Sequence, residues 1–271
     1  MNIHSSAVVD PQAKIAQEAV VGPYCVIGPN VQIGERTVLF NHVTIVGNTV
    51  LGKDNKVYQG AVIGTWPQDI SFCGQDTHVI IGDGNVIREC VTIHCGTHKA
   101  GRVTRIGNNN YFMAYSHVAH DCEIGNGVIM ANGVQIGGHV KLEDLANIGG
   151  MAALHHFVTV GRLSFVGGLT RVVRDVPPFM TIEGNPSKVR CVNIVGCARN
   201  GLKREAIRTL KEAHRILYRG GLPIGEAVKR LEETVDTDEV RELVTFLRNS
   251  TKGKQGRARE AMRKGAGLAA R

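Results

Sequence analysis

The feature that most constrains this chain is a beat of six. An aliphatic residue stands at every sixth position from Ile3 through Val9, Ile15, Val21 and Ile27 to Ile63. The beat returns at Ile81, Ile87 and Ile93. It then resumes one residue out of phase at Ile106 and runs through Phe112, Val118, Ile124 and Ile136 to Val172. Four places after the aliphatic residue the side chain is usually small or β-branched, as at Ala7, Ala13, Thr37, Ala61, Val128 and Ala152. Glycine often follows the aliphatic residue, as at Gly22, Gly28, Gly107 and Gly125. A period of six matches neither a helix face nor an alternating strand, and a fixed period along a chain is the mark of stacked units. It fits a short strand and a corner, repeated, with the aliphatic side chain inward and glycine easing the corner. Three such strands close one triangular coil. Coils stacked at strand spacing, ~4.8 Å, build an all-β solenoid about nine coils tall with a thin aliphatic core.

Two stretches break the pattern. Residues 65–77 keep the phase but lose the core residues, so they must bulge outward as a loop that carries the only Trp, Trp66. Residues 97–105 are a shorter insertion. Loops on a rigid scaffold are where binding groups concentrate. The solenoid is assigned to residues 1–186, ending in the breakers Pro177-Pro178 and Gly184-Asn185-Pro186. Residues 187–249 form a connector and a C-terminal α-helical subdomain, with helical spacing in Leu202, Ala206, Leu210, Ala213 and Leu217. The subdomain is expected to cover one end of the prism or to pack against neighbours.

Much of the net charge of +8 resides in residues 251–271, with seven Lys/Arg against one Glu. This Gly/Ala-rich basic tail from residue 250 onward is read as disordered, and its composition does not call for a nucleic-acid partner. Cys25 and Cys122 fall at the small inward position and read as packing residues. The seven cysteines contain no CxxC pair and no disulfide framework. With hexads beginning at Ile3 and no apolar run of membrane length, a cytoplasmic protein without a membrane span is expected.

Proton-transfer groups are densest at Ser116-His117-Val118-Ala119-His120-Asp121-Cys122. An imidazole titrates near neutrality and can take and return a proton at cellular pH. The register adds geometry. His120 is third in its hexad, and Gly138, one coil later, is also third; Asp121 and His139 stack the same way at the fourth position. One patch thus collects a base, a carboxylate, a backbone N–H and a second imidazole. That set suits acyl transfer, which needs a base for a hydroxyl and a donor for the tetrahedral oxyanion.

Six blocks of sequence carry a specific resemblance: Ser116–Cys122, Ile136–Val140, Ile148–Phe157, Asp175–Phe179, Glu183–Pro186 and Val192–Ile194. From residue 3 to about 250 the chain resembles the acyl-carrier-protein-dependent UDP-N-acetylglucosamine O-acyltransferases of lipid A synthesis, within the hexapeptide-repeat transferases. The resemblance implies a left-handed parallel β-helix and a homotrimer with sites in the clefts between subunits. The implied reaction moves a 3-hydroxyacyl chain from acyl carrier protein to the sugar 3-hydroxyl, with no cofactor and no metal. His120 matches the general base, Asp121 the acid that orients it and Gly138 the oxyanion donor. His117 and His139 match groups on the amino sugar. His155 matches one near the nucleotide phosphates, with His156 beside it where Gln is usual. Gln68 and Asp69 match residues that bind the acyl 3-hydroxyl, Gly168 the position that sets chain length, and Asn193 and Arg199 the uridine-diphosphate site. Ser71 stands where a Lys is common, and Val195 where a Glu often follows Asn-Ile.

Three other readings compete. A zinc hydratase on the same fold would need imidazoles converging on one metal at ~2.0–2.1 Å, and His117 and His120 do not have that family's spacing. A transferase acting on an amine normally carries a further N-terminal domain. A solenoid without catalysis would not need the intact base, acid and glycine.

Overall fold

The computed structural model describes residues 2–235, 237–252 and 256. The basic tail assigned from sequence lies, from residue 253 onward and apart from residue 256, outside the described residues.

Most hexads form a strand of two residues whose second member is the aliphatic one, as in Val26–Ile27, His117–Val118 and Gln135–Ile136. Strands beside the insertions run to three or four residues. The strands stack in three sheets of eleven, nine and eight strands, starting at Asn2–Ile3, Val8–Val9 and Lys14–Ile15. Pairing is parallel with one coil between partners, as in Val8↔Val26 and Gln135↔Ala153. The aliphatic column and the small residue four places on are buried together in one continuous core from Ala19 to Ile182. Cys25 and Cys122 are fully buried within it.

The corners differ from the sequence expectation in an instructive way. The turn to positive φ lies at the fourth hexad position and is carried mostly by ordinary residues, among them Tyr24 (φ 58°), Asp121 (59°), His139 (61°) and Leu169 (58°). The glycines at the second position have a different role. A β-carbon on Gly22 would lie 2.6 Å from the Phe40 carbonyl oxygen one coil above, and one on Gly107 equally close to the Gly125 oxygen. These glycines let successive coils approach; they do not supply a left-handed conformation.

The two insertions explain the phase. The partner of Val62 is Thr92, and that of Thr92 is His117. Twelve residues are therefore added in the first loop, which preserves a period of six, and seven in the second, which shifts it by one. Both loops leave the solenoid at the corner between the second and third sheets, after strands Val62–Thr65 and Thr92–His94.

Beyond the last hexads, strand Met180–Glu183 pairs antiparallel with Lys188–Val192. Helices α1 (Ile194–Arg199), α2 (Arg204–Arg219), α3 (Ile224–Thr234) and α4 (Asp238–Thr251) follow. The apolar faces of α2, α3 and α4 (Leu210, Ala213, Leu231, Leu243) close over Leu163, Phe179, Met180 and Val192 and seal the C-terminal end of the core. A bidentate pair from Arg162 to Glu242 of α4, 2.8–3.3 Å, ties this cap to the prism.

Candidate active site

The site is built at the corner between the second and third sheets. His117 is the outward residue of strand His117–Val118, and His120 and Asp121 form the turn that follows. The positive φ of Asp121 turns its carboxylate back toward the coil below. There its side chain is 1% exposed and Oδ2 lies 2.8 Å from His120 Nδ1. The second insertion supplies two more donors that nothing in the sequence marked. The Thr97 N–H donates to Asp121 Oδ1 at 2.8 Å, and the Thr97 hydroxyl to Oδ2 at 2.6 Å. The Asp121 N–H donates in turn to the Thr104 hydroxyl at 2.9 Å. A carboxylate that accepts three hydrogen bonds is fixed as an acceptor. It holds the Nδ1 proton of His120 and leaves Nε2 as the basic nitrogen.

The register placed Gly138 one coil above His120, and the structure sets it against the imidazole. A β-carbon at Gly138 would lie 2.5, 2.7 and 3.0 Å from His120 Cε1, Nε2 and Nδ1. Only glycine leaves room for the ring. Gly138 is buried, and among the described residues its N–H meets no acceptor. An unpaired buried N–H is costly in the ground state and available to an anion.

The fourth-position column above Asp121 is aromatic. His139 is stacked on Phe157 (centroids 4.4 Å, 14°) and stands edge-on to His120 at 5.0 Å. Its Nδ1 is 3.6 Å from Asp121 Oδ2. His117 Nδ1 lies 2.7 Å from the Thr92 hydroxyl, and its ring meets the buried His94 edge-on at 4.9 Å. Burial, then the neighbouring His117 and His120, lowers the His94 pKa to about 4. Burial, then His120, lowers that of His117. His155 and His156 follow on the next coil of the same corner, with ring centroids 3.7 Å apart.

Among the described residues His120, Asp121 and His139 are the group whose donor atoms cluster closely enough for a metal, within 4.8 Å of one another. The 2.8 Å contact between His120 and Asp121 is, however, of hydrogen-bond length. Two ligands on a tetrahedral zinc at 2.0–2.1 Å stand roughly 3.3 Å apart. The geometry therefore favours a shared proton.

In the first loop, Asp69 Oδ1 accepts from the Ser71 N–H (2.9 Å) and hydroxyl (2.7 Å), and Oδ2 from Lys99 Nζ at 2.6 Å. Burial works to raise the Asp69 pKa and is outweighed by the Lys99 and Ser71 hydrogen bonds, so the carboxyl stays well below its ordinary range. Gln68 is exposed beside it.

Three of the expected residues lie elsewhere. Gly168 is at the corner between the first and second sheets, stacked over Gly150. Asn193 caps α1 by accepting from the Gly196 N–H at 3.0 Å, and donates to the Leu163 carbonyl at 2.9 Å. Arg199 is exposed in the last turn of α1.

Residues 175–254 match the family model for the second domain of UDP-N-acetylglucosamine O-acyltransferase, and residues 104–138 the bacterial transferase hexapeptide model. An acyl-[acyl-carrier-protein]–UDP-N-acetylglucosamine O-acyltransferase of Halorhodospira halophila is 43% identical over 93% of this chain and 98% of its own. The chain belongs to this O-acyltransferase family. The corresponding enzyme of Gloeothece citriformis is 46% identical over 77% of this chain and 75% of its own. The crystal structure of UDP-N-acetylglucosamine O-acyltransferase from Moraxella catarrhalis superposes with a TM-score of 0.88 at 40% identity, covering 94% of this chain and 99% of that one. The fold is accordingly the left-handed parallel β-helix with a C-terminal helical region, and the protein is an acyltransferase. Among the described residues no helix is long and apolar enough to cross a membrane.

Proposed function

We propose that the chain transfers a 3-hydroxyacyl group from acyl carrier protein to the 3-hydroxyl of UDP-N-acetylglucosamine, the first step of lipid A synthesis, with His120 as general base. His120 Nε2 takes the proton of the sugar hydroxyl as its oxygen attacks the thioester carbonyl. The oxyanion that forms accepts from the Gly138 N–H. Asp121 balances the imidazolium charge. Collapse of the tetrahedral intermediate breaks the C–S bond, and the departing thiolate takes back the proton. No cofactor enters. The observation that carries this reading is the His120–Asp121 hydrogen bond beneath a glycine that only an unsubstituted backbone could bring so near the ring.

The other assignments are those implied by the family to which the chain belongs. His117 and His139 flank the base and would bind the amino sugar, with His155 and His156 one coil further toward the phosphates. Asp69, with Gln68, would take the acyl 3-hydroxyl. Gly168 stands at another corner of the prism, and Asn193 and Arg199 stand at the two ends of α1 in the C-terminal cap, so they would serve a site whose second wall is another copy of the chain. An apolar ridge supports assembly. Tyr115, Met151 and Leu169 are 67%, 63% and 77% exposed at the corner between the first and second sheets. All three hold positive φ (62°, 58° and 58°), a conformation that disfavours bulky residues. Exposed side chains on such backbone are accounted for when neighbouring copies cover them. A homotrimer in the cytoplasm is the assembly proposed. The test is to incubate purified protein with hydroxyacyl carrier proteins and UDP-sugars and to weigh the product. A 3-O-acylated UDP-N-acetylglucosamine supports the reading; an N-acylated sugar, or no acyl transfer, contradicts it.

A further inference from the structure

The second insertion touches both carboxylates of the site, and nothing in the catalytic scheme above requires that. Thr97 donates twice to Asp121, behind the base. Two residues on, the Lys99 ammonium lies 2.6 Å from Asp69 in the other loop. The two anchors are joined: the Lys99 N–H donates to the same Thr97 hydroxyl at 3.3 Å. A hydrogen-bonded path thus runs from His120 through Asp121, Thr97 and Lys99 to Asp69. Two residues of chain span at most ~7 Å, and one lysine side chain completes the link, so the strap limits how far apart the two carboxylates can stand.

We infer that Thr97 and Lys99 are positioning residues which set the distance between the acyl-hydroxyl site at Asp69 and the base at His120, and so make the enzyme select 3-hydroxyacyl donors. The inference rests on the reading of Asp69 given above. The satisfied valences of Asp69 support it. A carboxylate offers about four acceptor positions. Ser71 takes two on Oδ1 and Lys99 one on Oδ2. One is left for a substrate hydroxyl, and the side chain, 13% exposed, is reachable from one side. Without the ammonium, Oδ2 gains a second open position and the loop of 65–77 loses its tie to the coil that carries the base. A donor without the 3-hydroxyl makes no use of Asp69, so the loss falls unequally on the two kinds of donor.

The readout is hydroxyl preference: kcat/KM with a 3-hydroxyacyl carrier protein divided by that with the unsubstituted acyl carrier of equal length. Lys99→Met is expected to lower this ratio roughly tenfold or more, the scale of one charge-assisted hydrogen bond. Lys99→Arg should restore at least half of it on a logarithmic scale. Thr97→Val, at the junction, should lower turnover with both donors and the preference as well. A Lys99→Met ratio within twofold of wild type, or equal losses with both donors, overturns the inference while leaving the Asp69 reading in place. A wild-type enzyme with no hydroxyl preference overturns the Asp69 reading, and the strap with it.

Discussion

Gly138→Ala is the most exacting single substitution, because one methyl group meets the ring of the proposed base directly. The built β-carbon would stand 2.5–3.0 Å from three imidazole atoms, where ordinary carbon contacts need about 3.5–4.0 Å. His120 must therefore retreat by roughly 1 Å. Its 2.8 Å bond to Asp121 could not keep both its length and its angle through such a shift. A displacement of that size in a reacting group costs on the order of 10²-fold in rate, and loss of the oriented base adds to it. Turnover should fall roughly 10²- to 10³-fold, while the Michaelis constant for UDP-N-acetylglucosamine changes less than about threefold. Folding should be nearly untouched. Gly138 is not among the residues at positive φ, so alanine is allowed by the backbone and gains slightly in unfolded-state entropy. Steady-state kinetics beside a urea melt make the assay. Gly28→Ala, far from the site, is the control, since its β-carbon would meet the Val46 α-carbon at 3.4 Å, an ordinary contact. A Gly138→Ala enzyme that keeps a third of wild-type turnover would refute the reasoning.

Other expectations follow from the same structure. Arg199→Ala should raise the Michaelis constant for the nucleotide sugar more than it lowers turnover, because a remote phosphate contact acts on ground and transition states alike; a fall in turnover alone would remove Arg199 from that site. Gly168→Met should shift preference to shorter acyl chains, each excluded methylene costing about 0.8 kcal/mol; an unchanged chain-length profile would place the end of the groove elsewhere. If the proposed trimer forms, Leu169→Asp should shift light scattering from trimer toward monomer, and an unchanged mass would show that the apolar ridge is not an interface. Burial depresses the pKa of His94 to about 4 and lowers that of His117. The unfolded chain then binds more protons than the folded one below about pH 6.5, and stability must fall as pH drops from there toward about 4. His94→Phe should weaken this dependence, as measured by urea midpoints at pH 7 and 4.5. Equal slopes in variant and wild type would exclude His94 as a source.

The period of six carried most of the fold. Val21, Ile27 and Ile136 announce an inward column because that column has to be aliphatic wherever three sheets meet in so thin a core. The stacking of Gly138 over His120 was readable for the same reason: in a solenoid, register is distance. What could not be read was whatever depends on the insertions. The phase showed that residues 97–105 interrupt the beat, but Thr97 has no periodic partner, and only the path of the loop brings it to Asp121. Lys99 and Asp69 meet across two loops for which no repeat sets a register. The corner glycines were misread for a related reason. Position two is glycine because of the coil above, a contact that a pattern along one coil does not display.

The claim on which the rest depends is that His120 removes the proton of the attacking hydroxyl. The direct test is the turnover of His120→Ala with a 3-hydroxyacyl carrier protein and UDP-N-acetylglucosamine, measured on a variant shown to be folded and to bind the nucleotide sugar. The account predicts a fall of at least the 10²- to 10⁴-fold typical of general base catalysis, about 3–5 kcal/mol in barrier, with binding retained. A variant that turns over at a tenth of the wild-type rate or faster would contradict it, and would move the base to His117 or His139.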